Sequence, residues 1–299
     1  MKTPVSIQLT ENQTWIEHQC EHCDDIILRP MNLGARQQIS CLIVYIETAV
    51  SNVMLEDSVL GKLLNHLWEM EAPDIHQAVA ENGLGISDTK EFESLEEAMA
   101  AMLAGNAIFL LDGYDRALKI GSKGYPGLGV SKAESEKVLR GSREGFSESV
   151  KLNTALIRKR IRSTGLKVEE NFLGERSNTV TALVYEQDLV RPELLEEMKR
   201  ELREFAIDAI PDSGIIEQLA GRFSWSPFPK FQTTERPDRA AMAVLEGMIV
   251  LLSDNSPVAL LLPATLNSLI QTGDDYYGNF EIASLLRCIR YGAIVLAFS

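Results

Sequence analysis

Residues Ser226–Pro263 read SPFPKFQTTERPDRAAMAVLEGMIVLLSDNSPVALLLP. The first half is a polar, proline-broken loop carrying Thr233-Thr234-Glu235-Arg236-Pro237-Asp238-Arg239. The second half, Met248–Leu262, is two apolar runs around a turn at Asp254-Asn255-Ser256-Pro257, which predicts a β-hairpin. The hairpin half has a copy elsewhere in the chain and the loop half does not.

The copy appears when the sequence is shifted against itself. At a shift of 140, Met31-Asn32-Leu33-Gly34-Ala35-Arg36 lies over Asn171-Phe172-Leu173-Gly174-Glu175-Arg176, and Ile43-Val44-Tyr45 over Leu183-Val184-Tyr185. At 142, Ile108-Phe109-Leu110-Leu111-Asp112 lies over Val250-Leu251-Leu252-Ser253-Asp254. Two matches in one order at nearly one offset mark a repeated domain. Each copy predicts a helix (about Glu11–Ile27; about Ser147–Ile161), then a strand or hairpin with its apolar run at Cys41–Ile46 or Val180–Tyr185. An amphipathic helix follows: in copy two it opens at Pro192, with Leu194, Leu195, Met198, Leu202 and Phe205 at helical spacing, and in copy one Val59, Leu60, Leu63, Leu64 and Leu67 do the same packing. A further helix, opened in copy one by the capping-box pattern Ser94-Leu95-Glu96-Glu97, leads into the hairpin. The fold class is α/β, two similar small lobes. The boundaries are 1–122 for the first lobe, 123–146 for a Gly/Pro and polar linker, 147–278 for the second lobe and 279–299 for a C-terminal helix. Tyr125, Pro126, Gly127, Arg140, Gly141 and Arg143 are the candidate hinge residues of the linker.

A formal net charge of -14 over 299 residues excludes the basic field that nucleic-acid binding needs. Four cysteines in this length make no disulfide framework, and the start MKTPVSIQLTENQTW lacks the apolar core of a signal peptide. The closing run Gly292–Ser299 reads either as the end of a buried helix or as the first half of a membrane helix. Cys20-Glu21-His22-Cys23 has metal or redox spacing without a second ligand pair, and it falls in the predicted opening helix, where such residues ordinarily pack. Arg158-Lys159-Arg160-Ile161-Arg162 reads as a solvated helix end. Asp274-Asp275 has no acid–base geometry, and no phosphate loop, nucleophile elbow or His-Glu-x-x-His motif occurs, so the reading is a non-enzyme without metal or cofactor. Thr234, Glu235, Arg236, Asp238 and Arg239 are the candidate site. Either they form an internal salt-bridge corner, or the arginines reach carboxylates of a partner.

Five motifs follow in order: Glu136-Lys137-Val138-Leu139-Arg140-Gly141-Ser142-Arg143-Glu144-Gly145-Phe146, Asn153-Thr154-Ala155-Leu156-Ile157-Arg158-Lys159-Arg160-Ile161, Pro227-Phe228-Pro229, Thr234-Glu235-Arg236-Pro237-Asp238 and Asp275-Tyr276-Tyr277. In these the chain resembles the A subunits of spore germinant receptors, the GerA family, and their stage V sporulation AF paralogues. The resemblance implies a non-enzymatic region of two α/β lobes on the cytosolic (core) side of the spore inner membrane. It implies partners in the receptor B and C subunits, homo-oligomerisation, and relay of a nutrient signal to ion release. It also implies a membrane domain beyond the region around Arg290–Ser299. The alternative is a two-lobe domain that senses a small molecule.

Overall fold

The computed structural model describes residues 2–34, 39–50, 67, 70–80, 89–121, 125, 136, 142–221, 229–265 and 280–298. By contacts the chain divides into two compact units: Met1–Leu128 with Arg158–Glu169, and Gly129–Ile157 with Glu170–Ser299. This differs from the consecutive boundaries expected from the sequence, because residues Arg158–Glu169 pack within the first unit.

The first unit contains α1 (Leu9–Gln19), β1 (Ile26–Leu33), β2 (Ile39–Ile46), α2 (Ala72–Ala80), β3 (Thr89–Phe92), α3 (Leu95–Leu103), β4 (Ala107–Leu111) and β5 (Ala117–Ile120). The strands form one five-stranded sheet, β1-β2-β4-β5-β3, antiparallel throughout. Alternation along the strands sends Leu42, Val44, Ile46, Ile108 and Leu110 to one face, where α1 and α3 supply Ile16, Leu95, Met99 and Met102. Cys41, Ile43, Ala107, Phe109 and Leu111 go to the other, against Ile75 and Val79 of α2. Both faces are covered, which is why β2 and β4 read as unbroken apolar runs rather than alternating ones. Each large side chain buried this way contributes about 1.5–3 kcal/mol.

Helix α1 is shorter than the sequence predicts. It stops at Gln19, the chain turns through His22 at φ 60, and Asp24 N donates to Val168 O at 2.9 Å. Ile26 and Ile27, expected in the helix, pair instead with Ile46 and Tyr45 in the β1–β2 hairpin. The capping box also resolves differently. Ser94 is the N-cap residue of α3 but makes no capping bond; its hydroxyl donates to Glu96 Oε2 at 2.7 Å. Glu96 in turn accepts from Thr3 N at 2.9 Å and Thr3 Oγ1 at 2.8 Å, tying the chain's start to α3.

The second unit contains α4 (Val150–Arg158, whose last residue falls in the first unit), β6 (Leu166–Leu173, shared between the units), β7 (Thr179–Glu186), α5 (Pro192–Arg203), α6 (Ser213–Gly221), β8 (Gln232–Thr234), α7 (Pro237–Leu245), β9 (Ile249–Ser253), β10 (Ala259–Leu262) and α8 (Phe280–Phe298). Its sheet order, β6-β7-β9-β10-β8, repeats that of the first. Helices α5 and α6 bury Leu195, Met198, Leu202 and Ile216 against Leu183, Ile249, Leu251 and Leu260. Helix α7 packs on β7, β9 and β10. Of the residues expected to form the equivalent helix of copy one, Leu67 is buried, while Val59, Leu60, Leu63 and Leu64 lie outside the described residues.

The repeat extends to individual hydrogen bonds. Asn12 accepts from Ser6 N at 2.8 Å and donates to Ser6 O at 2.7 Å; Asn153 does the same with Ser147 at 2.8 and 2.6 Å. Asp112 accepts from Leu9 N at the start of α1, and Asp254 from Val150 N at the start of α4. The backbone pairs Gly113 N–Ile7 O and Val5 N–Glu93 O recur as Asn255 N–Glu148 O and Phe146 N–Glu235 O. A Ser-x5-Asn latch and a hairpin aspartate therefore set each opening helix on its sheet.

One interaction of the first unit has no copy. Arg158, fully buried, donates through Nε and Nη2 to the two oxygens of Asp25 at 2.8 and 2.7 Å, and through Nη1 to the carbonyls of Ser163 and Leu166. This corrects the solvated reading of the basic run for Arg158, whereas Arg162 is exposed. Burial opposes the charge, but the Asp25 carboxylate outweighs it and raises the guanidinium pKa further. Val168 N meanwhile donates to His22 O, setting the segment after Arg158 beside the Cys20–Cys23 turn.

Two outcomes follow from these contacts. Asp25→Ala leaves a buried cation unanswered and is expected to cost about 3–5 kcal/mol in urea unfolding, much of it recovered in Asp25→Leu/Arg158→Met; a single substitution costing no more than a surface change sinks the assignment. For Glu96, the Ser94 hydroxyl and the Thr3 amide lower the pKa from 4.5 to about 2. A depressed carboxylate stabilises the fold above its unfolded value and loses that contribution as pH falls through the folded one. The Thr3 tether is thus expected to be intact at neutral pH and to release as pH falls from about 4 toward 2, read from the Glu96 carboxyl carbon and Thr3 amide by NMR; a midpoint at the ordinary glutamate value removes the tether.

Candidate functional site

The Thr-Glu-Arg-Pro-Asp-Arg segment turns the chain from β8 into α7. Strand β8 pairs with β10, Thr234 opposite Ala259. Arg236 is the N-cap residue in extended conformation (φ -106, ψ 117), Pro237 opens the helix, and Asp238 sits in its first turn, where an acid suits the positive end of the dipole. The Arg236 amide donates to Thr234 Oγ1 at 3.1 Å, which closes the turn. The Arg236 guanidinium, only 2% exposed, grips Asp238 with Nε at 3.1 Å and Nη2 at 2.6 Å.

A residue far off in sequence completes the corner. Glu136 accepts from the Thr234 hydroxyl at 2.6 Å and from Arg239 Nη1 at 2.8 Å, one oxygen each. Phe146 N donates to Glu235 O at 2.8 Å from the same stretch of chain. The motif beginning at Glu136 and the motif at Thr234–Asp238 are therefore two sides of one latch inside the second unit. The sequence left two readings open for Arg236 and Arg239, an internal salt-bridge corner or carboxylates of a partner; the structure gives both arginines carboxylates of their own unit, Asp238 and Glu136. Thr234 and Arg236 are buried, while Glu235, Asp238 and Arg239 are part-exposed. Glu136 was absent from the candidate set, because its partners stand 98 and 103 residues away and no local pattern links them.

The candidate hinge residues divide. Tyr125 packs on the core of the first unit and donates its hydroxyl to Leu103 O at 2.8 Å; burial raises its pKa to about 12. Arg143 is exposed in the second unit. Pro126, Gly127, Arg140 and Gly141 lie outside the described residues, as do Asp274 and Asp275.

Cys20 and Cys23 are buried in the turn after α1, and burial, with the neighbouring Cys23 sulfur, pushes the Cys20 thiol up to about 12, away from thiolate chemistry. Among the described residues no three His, Cys, Asp or Glu side chains are placed to hold a metal ion. A groove of about 400 Å³ in the first unit is lined by Leu9, Thr10, Gln13, Pro30, Met31, Asn32, Ser40, Cys41 and Asp112, of which Asn32 bonds Ser40 and Asp112 holds the Leu9 amide. Helix α8 leaves Leu285, Leu286, Ile289 and Leu296 exposed, yet no helix among the described residues is long and apolar enough to cross a membrane.

Two like units, each an antiparallel five-stranded sheet with helices on it, and a signature that closes one internal latch define a duplicated α/β scaffold. The family model described as Bacillus/Clostridium GerA spore germination protein matches residues 14–299, and the chain belongs to that family. It is 34% identical over 294 residues to the uncharacterized membrane protein YfkQ of Bacillus subtilis (strain 168), covering 98% of this chain and 56% of that one. Spore germination protein KA of the same organism is 30% identical over 286 residues, covering 96% of this chain and 52% of the relative. Stage V sporulation protein AF is 33% identical over 226 residues, covering 75% and 46%. The chain thus spans about half the length of the curated relatives it matches. Among solved structures it matches the N-terminal domain of the A subunit of the Bacillus megaterium spore germinant receptor GerK3, with TM-score 0.67 and 26% identity over 89% of this chain and 98% of that one. In span and fold it corresponds to such an A-subunit N-terminal domain.

Removing the carboxylate of Glu136 tests the latch. Glu136→Ala leaves the buried Thr234 hydroxyl without its acceptor and is expected to cost about 1–3 kcal/mol in urea unfolding, with hydrogen exchange rising first across β8 and the start of α7. Unchanged exchange there would mean that Glu136 holds nothing.

Proposed function

We propose that this chain is the N-terminal region of a germinant receptor A subunit and that it serves receptor assembly and relay of the nutrient signal to ion release, without catalysing a reaction. One observation carries this reading: the likeness to the GerK3 A-subunit domain, which takes in 98% of that domain. The latch adds a physical reason. Two family motifs meet in Glu136, Thr234 and Arg239, so what the signature maintains is the shape of the second unit rather than a reacting group. A fixed shape is what an assembly surface requires, because ordering a surface on binding subtracts from affinity. The partners are the receptor B and C subunits and further copies of the A subunit. The place of action is the spore inner membrane, with this region on the core side. Part-exposed Glu235, Asp238 and Arg239 are proposed as the rim of the assembly face, whereas Tyr125, packed on the core of the first unit, is not part of a joint.

Spores carrying Glu136→Lys, Arg239→Glu and the charge-swapped double variant provide the test. Each single change is expected to lower the receptor B and C subunits recovered with this chain and to slow nutrient-triggered ion release, and the double variant to restore both in part, because a lysine at position 136 cannot accept from the Thr234 hydroxyl. Full recovery of partners with normal germination in both singles would end the assembly reading.

The first-unit groove favours a second reading, in which the region senses a small polar molecule held by Thr10, Gln13 and Asn32. A panel of amino acids, nucleosides and sugars that raises the unfolding temperature of the whole chain, and fails to do so in Asn32→Leu, would favour sensing over assembly.

A further inference from the structure

Cys20 ends α1, and Cys23 follows it across a tight turn. Cys23 N donates to Cys20 O at 3.0 Å, and His22 takes the left-handed conformation at φ 60. A turn closed by such a bond holds its outer Cα atoms within about 7 Å, and a disulfide needs about 4.4–6.8 Å. Both cysteines belong to one apolar cluster, with Ile16 and Ile26. The residues between them, Glu21 and His22, are exposed, which leaves the pair at the edge of that core; Cys41, by contrast, is 0% exposed. The second unit has no such pair: at a shift of 141 its positions hold Ile161 and Thr164.

The charges around Cys23 do not balance. Arg158 is answered by Asp25. Lys167, only 3% exposed, donates to Gln19 O at 3.2 Å and stands 4.0 Å from Cys23 Sγ, with no carboxylate within 4 Å among the described residues. A buried cation is costly unless an anion meets it, and beside Lys167 the Cys23 thiol is the group that can become one. That thiol donates to Leu166 O at 3.5 Å. Burial pushes it above its ordinary value; Arg158 opposes this, Asp25 adds to it, and Lys167 opposes it again. An oxygen added to Cys23 Sγ on the lysine side comes within hydrogen-bond reach of the ammonium and takes up a donor that Gln19 O leaves over.

We propose that Cys20 and Cys23 form an oxidative modification site that takes hydrogen peroxide, with Lys167 positioning the oxygen transferred to Cys23. The Cys23 sulfur attacks one peroxide oxygen and the O–O bond breaks. The departing hydroxide leaves as water with the thiol proton, so sulfur is oxidised and peroxide reduced. Cys23 is then a sulfenic acid whose oxygen Lys167 holds. The Cys20 sulfur attacks the Cys23 sulfur, the S–O bond breaks, and the oxygen leaves as a second water with the Cys20 proton. Two thiols and one peroxide thus give one disulfide and two waters, and a thiol reductant reverses the change. In the reduced chain the pair is packing, and its burial makes the reaction slow.

The test exposes the whole folded chain, carrying Cys288→Ser, to hydrogen peroxide, then alkylates it and cuts it with trypsin. Cys20 and Cys23 share the peptide Thr3–Arg36, which holds no other cysteine. That peptide is expected to escape alkylation, to lose the mass of two hydrogens, and to regain it with dithiothreitol. In Cys20→Ser, dimedone is expected to tag Cys23; in Cys23→Ser, Cys20 is expected to stay reduced. Lys167→Met is expected to slow the tagging of Cys23 about tenfold. A lysine that served only packing would loosen the turn on removal and speed the tagging. Oxidation of Cys41 ahead of the pair, or a Thr3–Arg36 peptide that stays fully alkylated, would overturn the proposal. So would Cys23 joined to Lys167 in place of Cys20, or tagging in Lys167→Met as fast as in the parent.

Discussion

A guanidinium with no surface in water must have its donors answered by protein, and Arg158 obtains four bonds: two from Asp25, one each from Ser163 O and Leu166 O. Those bonds settle the course of the chain between α4 and β6. They hold residues 158–166 in a tight return and deliver Val168 to the backbone of His22 and Asp24, which ends α1 early and frees Ile26 to begin β1. The same enclosure buries Cys20 and Cys23. Without Asp25 the desolvation of Arg158 has no compensation, and this whole arrangement loses its reason.

Duplication supplies the rest of the architecture, and the departures from it carry the individuality of each unit. Both units keep the sheet order, the Ser–Asn latch and the aspartate at the opening helix. At the N-cap of the helix before the hairpin they part. Ser94 with Glu96 anchors the chain's start in one, and Arg236 with Asp238, backed by Glu136, closes a corner in the other. One backbone position thus serves two tethers, each held by an acid in the first turn of its helix.

Much of this was legible in the chain. The self-match at 140 and 142 predicted two like units, the hairpin at Met248–Leu262 became β9 and β10, and Pro192 opened α5 where its fixed φ suits a first turn. The Ser-x5-Asn latch was present at a shift of 141 but carries no hydrophobic signal, so periodicity passes over it. Arg158 was misread because cations at a helix end are ordinarily solvated, and only its distant partner Asp25 makes burial affordable. The corner at Arg236 was seen, but Glu136 was not: a pairing across about a hundred residues leaves no local trace.

The interleaving of the two units bears on the order of events at the ribosome. A first unit made only of Met1–Leu128 would finish synthesis early and could close while the rest is translated. Here it also needs Arg158–Glu169, so Asp25 waits for its cation until residues of the second unit have already emerged. The first unit is completed only at Glu169, after residues 129–157 of the second have been made, and no single cut of the gene yields a fragment holding one whole unit and nothing of its neighbour.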